Sequence, residues 1–463
     1  MNASQGLREK SSVKNIIIKP TNKTSGEITV PGDKSISHRA IMLGALAKGE
    51  TTITGFLSGA DCLATMGCFR EMGIEISMTN DKLKMSNDGK VIIKGKGLSG
   101  LKEPKGTLDV GNSGTTIRLM MGILAAQPFV SNISGDASIQ RRPMLRVAKP
   151  LREMGGEIEQ KVESGKLIIE NRNGEVYPPL RIIGNKLKGI NYKLPVASAQ
   201  VKSAILLAGL FAEGETSVIE KNPSRDHTER MLSYLGAKIR ITNYELRITS
   251  GELYGSHIDI PGDISSAAFF IVAALLTPNS ELLIRNVGLN PTRTGILDVL
   301  HRMGANIEVL NERIICEEPR GDVLVRSQKS GAGSLKAIKI SGEIIPRIID
   351  EIPIIALAAT QAEGITEIVG AKELRVKESD RIKTICSELR KMGANITELE
   401  DGLVIEGPTK LYGAKINSYG DHRIAMMGAV AGLIAEGETE IENTECTETS
   451  FPGFEKLLRS IAE

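Results

Sequence analysis

Six times along the chain a polar turn gives way to a Gly- and Ala-rich apolar run. The turns are Pro31-Gly32-Asp33-Lys34-Ser35, Gly111-Asn112-Ser113-Gly114-Thr115, Pro195-Val196-Ala197-Ser198-Ala199-Gln200, Pro261-Gly262-Asp263-Ile264-Ser265, Ile349-Asp350-Glu351-Ile352-Pro353 and Gly420-Asp421-His422-Arg423. The runs behind them include Ala40 to Ala47, Ala204 to Leu210, Ala267 to Leu276 and Ala425 to Ala435, and each reads as a helix. A turn and a β-branched strand follow, as in Thr51-Thr52-Ile53-Thr54, Thr216-Ser217-Val218-Ile219, Ile365-Thr366-Glu367-Ile368 and Thr439-Glu440-Ile441. A second, amphipathic helix then ends at a glycine: Gly73, Gly155, Gly236, Gly304 and Gly393 follow Met72, Met154, Leu235, Met303 and Met392. Glycine at that place reads as a left-handed cap. Copies of roughly 65 to 90 residues exceed the short solenoid repeats. None can bury much alone, so they must pack on one another, helices inside and sheets outside. The plainer alternative is an ordinary α/β protein with recurring glycine turns.

A chain of 463 residues is too long for one core and suits two domains of several copies each. With 58 basic against 56 acidic residues, nothing favours nonspecific nucleic-acid binding. Five cysteines without a C-x-x-C pair argue for a reducing compartment and against a disulfide or zinc framework. No apolar run reaches the roughly 18 to 20 residues that span a bilayer, and Met1 to Ser12 read as a loose polar tail. The absence of Trp and only 3% aromatics leave an aliphatic core with little to stack bases on.

Chemistry concentrates at the turns. A helix N-terminus offers unpaired N–H groups and the positive end of a dipole, which suits phosphate or carboxylate. Lys34 and Ser35 fall on a first helical turn, with Arg39 four residues past Ser35 on the same face. A cation, a hydroxyl and a guanidinium together can grip a phosphate and a neighbouring hydroxyl. Arg141-Arg142-Pro143 adds two guanidiniums before a proline able to open a helix. Lys377-Glu378-Ser379-Asp380-Arg381 is dense in charge, either a solvated face or a set aimed into a cleft. Arg423 heads an apolar helix and needs a buried partner if it is structural; Asp350 heads another, where capping is the simple role. Taken together, these groups point to a site for a multiply charged anion.

The strings PGDKSISHRA, GNSGTTIR, QRRPM, PVASAQVKSA, NPTRTG, IDEIP, LRVKESDR and GDHRIAM resemble the 5-enolpyruvylshikimate-3-phosphate synthase family, the 3-phosphoshikimate 1-carboxyvinyltransferases. The likeness runs from Ser25 to Phe454 and is nearer the bacterial class II subgroup than the plant and enteric type. It implies an α/β fold: a two-domain inside-out α/β barrel of six βαβαββ repeats, helices inside and sheets outside. One lobe would be 32–259, the other 1–31 plus 260–463, with helix N-termini facing the cleft between them. The implied reaction moves the enolpyruvyl group of phosphoenolpyruvate onto the 5-hydroxyl of shikimate 3-phosphate and releases phosphate. By resemblance, Lys34, Ser35, Arg39, Ser198, Gln200, Ser224, Asp350 and Lys377 bind shikimate 3-phosphate. Lys34, Asn112, Gly114, Arg142, Gln200, Arg381 and Arg423 bind phosphoenolpyruvate. Asp350 is the implied base for the hydroxyl, and Glu378, with help from Lys34, the acid for the methylene carbon. The resemblance further implies a cytoplasmic monomer with no metal or organic cofactor, acting on small molecules rather than nucleic acid or membrane, and closing its lobes on ligand.

Two positions depart from the family pattern. Thr449 stands where many members carry a lysine before the C-terminal Phe-Pro, and Ala199 replaces the middle serine of a Ser-Ser-Gln triple. Gly114 leaves room beside the donor site, where a methyl would crowd the longer inhibitor glyphosate. Three other readings compete. A UDP-N-acetylglucosamine enolpyruvyl transferase would have Lys-Asn in place of Lys34-Ser35, and commonly a reactive cysteine near Arg141-Arg142. A non-catalytic anion-binding relative would have lost Asp350 or Glu378, and an RNA-end cyclase would need a nucleophilic histidine, whereas His38 and His422 read as structural.

Overall fold

Each polar turn starts a helix: Lys34–Leu46, Gly114–Leu124, Ala199–Gly209, Ile264–Leu276, Ile352–Thr360 and His422–Ile434. The computed structural model describes residues 14–79, 89–162, 165–171, 173–242, 244–327 and 335–462; the tail expected at Met1 to Ser12 lies outside them. Four of these helices are capped by the turn's own side chain. Asp33 accepts from the Ile36 N–H, Ser113 from Thr116, Asp263 from Ser265 and Asp421 from Arg423, which satisfies donors the helix cannot pair itself. Ser198 and Glu351, at the other two starts, make no capping bond. A helix apolar on every face has to be enclosed; in Ile264–Leu276 every residue except Leu276 is buried.

Strands form where β-branched residues alternate with polar ones. In Lys90–Lys96, Val91 and Ile93 are buried while Lys90 and Lys94 face solvent. The described residues build six small mixed sheets. Strand Lys48–Thr54 runs parallel to His257–Asp259 and antiparallel to Lys90–Lys96, which pairs in turn with Glu75–Thr79. Glu281–Gly288 likewise lies parallel to Ser25–Thr29 and antiparallel to Glu318–Arg326. The amphipathic helices Ala60–Glu71, Leu145–Glu153, His227–Tyr234, Gly295–Arg302 and Arg381–Lys391 each end at the expected glycine. Those glycines have φ of 82°, 107°, 92°, 92° and 95°. Pro143 differs from expectation: a single 3-10 turn, Ile139–Arg141, precedes it and the helix opens only at Leu145.

Buried apolar side chains fall into two separate cores. One holds residues from Ile36 to Ile260; the other joins Ile16 to Val30 with Ile264 to Ile461. The chain passes between them twice, and the crossings are bonded to each other. The Asp33 N–H donates to the Pro261 carbonyl at 2.8 Å and the Asp263 N–H to Pro31 at 2.9 Å. Only glycine fits at position 32, because a Cβ there would lie 1.7 Å from the Gly55 carbonyl oxygen. No helix among the described residues is long and apolar enough to cross a membrane, and all five cysteines are free thiols.

Candidate active site

The N-terminal ends of the six buried helices open onto one cavity of about 620 Å³, a size suited to small metabolites. Lys34, Ser35, Gly114, Ser198, Ala199 and Gln200 come to it from the first core, and Ser265, Asp350, His422 and Arg423 from the second. A larger depression of about 930 Å³ borders residues following the opposite helix ends, among them Lys48, Gln127 and Leu210. It contains none of the helix N-terminal groups and is not the chemical centre.

Asp350 sits among four cations. Its carboxylate lies 2.5 Å from Arg225 Nη2, 3.3 Å from Arg381 Nη1, 3.7 Å from Lys377 Nζ and 3.9 Å from Arg423 Nη2. Arg423 also donates to the Asp350 carbonyl at 2.8 Å, which supplies the buried partner its position demands. Burial pushes the Asp350 carboxyl up, but Arg225, Lys377, Arg423 and Arg381 together hold it well below the usual carboxylate range. Glu378 accepts from Arg381 at 2.6 Å and stands 3.7 Å from Arg142. Against burial, Arg381, Arg142 and Lys377 keep it well below its ordinary value too. Arg381 is itself fixed by Asp421, which accepts from its Nε at 2.8 Å.

Lys34 is ion-paired with Asp61, and this neighbour keeps its ammonium above the ordinary value although burial works the other way. Lys377 goes the opposite way, lowered by burial and by Arg381. Burial, Arg423 and Lys34 push the His422 imidazole down to about 3, so the ring is neutral. Charge here therefore rests on arginines, lysines and carboxylates. Among the described residues no cluster of His, Cys, Asp or Glu is arranged to hold a metal ion.

Most of the expected residues reach the cavity wall: Lys34, Ser35, Gly114, Arg142, Ser198, Gln200, Ser224, Asp350, Lys377, Glu378, Arg381 and Arg423. Two stand behind it. Arg39 donates to Thr228 Oγ1 at 2.6 Å, Ser203 Oγ at 2.9 Å and the Ser35 carbonyl at 3.0 Å. Asn112 Oδ1 accepts from Arg142 at 2.8 Å and so orients that guanidinium. Asp350 is not a cap, since its carboxylate is taken up by the cations, and Arg141 is exposed. His38 packs against Thr65, 2.7 Å away, within the first core. Gly114 owes its place to the arginines: a Cβ would come within 2.9 Å of Arg142 Nη1 and 3.2 Å of Arg118 Nη1.

Four residues went unread in the sequence. Arg118, which donates to Gln200 at 2.7 Å, ends the GNSGTTIR string, one helical turn past Gly114. Arg225 follows Ser224 directly, and Asp61 lies in the first turn of the helix Ala60–Glu71, behind the strand Lys48–Thr54. Arg146 reaches the cleft from the helix behind Arg142 and pairs with Glu373 at 2.5 Å. Only the spacing of Arg118 from the turn offered a signal.

Small mixed sheets around enclosed helices, with a cationic cleft holding two carboxylates, define a transferase of anionic small molecules. The model of the EPSP synthase (3-phosphoshikimate 1-carboxyvinyltransferase) family matches residues 18–458. A 3-phosphoshikimate 1-carboxyvinyltransferase of Brevibacillus brevis is 55% identical over 447 residues, 96% of this chain and 99% of the relative. One from Bacillus thuringiensis is 53% identical over 455 residues, covering 97% and 100%. The solved EPSP synthase of Acinetobacter baumannii superposes with a TM-score of 0.82 at 46% identity, over 97% of this chain and 98% of that one. The enolpyruvyl transferase NikO of Streptomyces tendae shares the fold, with a TM-score of 0.75 at 16% identity over 98% of each chain. The chain belongs to the EPSP synthase family and has its activity, that of a 3-phosphoshikimate 1-carboxyvinyltransferase in aromatic amino-acid biosynthesis.

Proposed function

We propose that shikimate 3-phosphate and phosphoenolpyruvate meet in this cleft and divide its residues between them. Shikimate 3-phosphate takes Ser198 and Ser224 with its phosphate, and its ring hydroxyls face Ser35, Gln200, Asp350 and Lys377; Arg39 supports Ser35 from behind. Phosphoenolpyruvate sets its phosphate on Arg142 and Lys34 and its carboxylate on Arg381 and Arg423, with Asn112 holding Arg142 and Gly114 leaving it space. The observation that carries this reading is the placing of Asp350 and Glu378 within one ring of cations drawn from both cores.

The same ring explains how two depressed carboxyls perform opposite tasks. Phosphoenolpyruvate on Arg142 and Arg381 cancels the two cations that most depress Glu378. Burial then dominates and Glu378 takes up a proton. It delivers that proton to the methylene carbon, the adjacent carbon becomes electrophilic, and the 5-hydroxyl oxygen bonds to it as Asp350 accepts the hydroxyl proton. Phosphate leaves as its C–O bond breaks and takes up the proton held by Asp350, while a methyl proton returns to Glu378, which restores the vinyl group. Closure around both anions excludes water and strengthens each charge contact.

The finer architecture belongs to the same proposal: two lobes, 32–259 and 1–31 plus 260–463, each of three βαβαββ repeats with helices inside. The two separate cores support it. Ala199 and Thr449 favour the class II subgroup, and we read the protein as a cytoplasmic monomer without metal or organic cofactor. The test is phosphate release from phosphoenolpyruvate with shikimate 3-phosphate as acceptor. Asp350→Asn and Glu378→Gln should still bind ligand by calorimetric titration yet lose at least about 100-fold in kcat. Near wild-type turnover in either variant removes that residue from the mechanism.

A further inference from the structure

The string Asn290-Pro291-Thr292-Arg293-Thr294-Gly295 has no part in the proposed division of the substrates, yet Arg293 borders the same cavity and is among the largest fully buried side chains. Its guanidinium lies where the two chain crossings meet. Nη1 is 3.0 Å from Asp33 Oδ2, and Nη2 is 2.9 Å from Asp263 Oδ1 and 2.6 Å from Ser265 Oγ. Asp33 and Asp263 are the caps of the first helix of each core, so one side chain grips both helix starts. Lys34 directly follows Asp33. On the other side, Ser265 Oγ donates to Glu351, the neighbour of Asp350. A continuous run of polar contacts thus joins the residue beside Lys34 to the residue beside Asp350.

The segment bearing Arg293 is anchored from both cores as well. Asn290 Nδ2 donates to Asp226 at 2.6 Å and to Glu318 at 3.1 Å, while its carbonyl accepts from the Arg293 N–H at 2.8 Å. Glu318 also holds His227 Nδ1 at 2.7 Å, and His227 Nε2 faces Arg293 Nη1 at 3.5 Å. A buried arginine between two carboxylates is a poor source of raw stability compared with apolar packing. What a planar fork does supply is fixed geometry between the groups it bridges, which a lysine point charge does not.

We infer that Arg293 is a positioning residue that sets the register between the two cores and thereby the placement of Lys34 relative to Asp350. This rests on the proposed division of the substrates. Shikimate 3-phosphate is held chiefly by the first core, whereas phosphoenolpyruvate is gripped by Arg142 from the first and Arg381 and Arg423 from the second. Loss of register therefore weakens the two substrates unequally, which a general loss of stability does not.

Steady-state kinetics and shikimate 3-phosphate titration on Arg293→Gln and Asp33→Asn test the inference. Asparagine caps a helix as well as aspartate, so Asp33→Asn removes the tie and keeps the helix start. The expected result is a kcat lowered about 100-fold and a phosphoenolpyruvate KM raised about tenfold, the scale of an ångström-level misplacement. Shikimate 3-phosphate dissociation should stay within about threefold of wild type. Arg293→Lys should recover only part of kcat. Equal weakening of both substrates, or both constants within about threefold of wild type in folded protein, overturns the inference. If Arg293→Gln fails to fold, Asp33→Asn decides by the same criteria. Wild-type protein that releases no phosphate with these substrates refutes the functional reading itself, a result separable from active Arg293 and Asp33 variants.

Discussion

His422 stands at the first position of the last buried helix, 5% exposed, with burial, Arg423 and Lys34 holding its ring down to about 3. An unfolded histidine titrates near 6.5, so between those values the unfolded chain binds a proton here that the folded one refuses. Stability must therefore fall as pH falls through that window, by about 1.4 kcal/mol per pH unit for this site. Glu229 and Glu351, raised by burial, act in the reverse sense, so the variant comparison isolates the term. Urea unfolding from pH 6 to 4.5 should show wild type losing stability relative to His422→Asn at roughly that slope. Parallel curves would refute it. Such residues were legible only in part. Lys34, Ser35, Ser198, Gln200 and Arg423 stand at fixed offsets from a turn, and the turn gave them away. Asp61 and Arg225 carry no such mark, because what places them in the cleft is the packing of another segment against their own.

At the scale of elements, glycine caps and apolar runs were readable because each depends on local φ and on neighbours three or four residues away. Helix-to-helix contacts were not. Gly122 lies where Gly114–Leu124 crosses Ala199–Gly209, and a Cβ there would be 2.1 Å from the Ala204 carbonyl oxygen. Gly122→Ala should force these helices apart and destabilise the fold by about 1–3 kcal/mol. Gly67, in helix Ala60–Glu71, has open space at its Cβ, so Gly67→Ala should be neutral or stabilise by up to about 1 kcal/mol. Thermal midpoints that move alike in the two variants would rule out the contact as the cause. The reading of Pro143 as a helix opener failed for a related reason. Proline permits a helix start, but Ile139–Arg141 already closes a turn there and the chain needs two further residues to redirect.

For the molecule as a whole, Arg225–Asp350, Arg146–Glu373 and Arg142–Glu378 bridge the cleft between the two cores. Arg146–Glu373 is the pair most open to water and therefore the one most subject to screening. The Debye length shrinks from about 10 Å at 0.1 M salt to about 3 Å at 1 M. Small-angle scattering should find the free protein more expanded at 1 M than at 0.1 M. Shikimate 3-phosphate with a phosphoenolpyruvate analogue should compact it most at the higher salt, where substrate anions replace screened carboxylates. One radius under all four conditions would contradict this account of closure.

The sequence by itself determined where the six buried helices begin, where the amphipathic helices end at a glycine, and which polar groups ride on the first turns, since those follow from local bonding and periodicity. It also determined the family, through strings whose order and length leave little freedom. Tertiary structure alone decided which charges meet. Asp350 lies 125 residues from Arg225, and Arg293 lies 260 from Asp33. Their pairing depends on two crossings of the chain that bring two cores into one register, a relation that no local pattern of residues encodes.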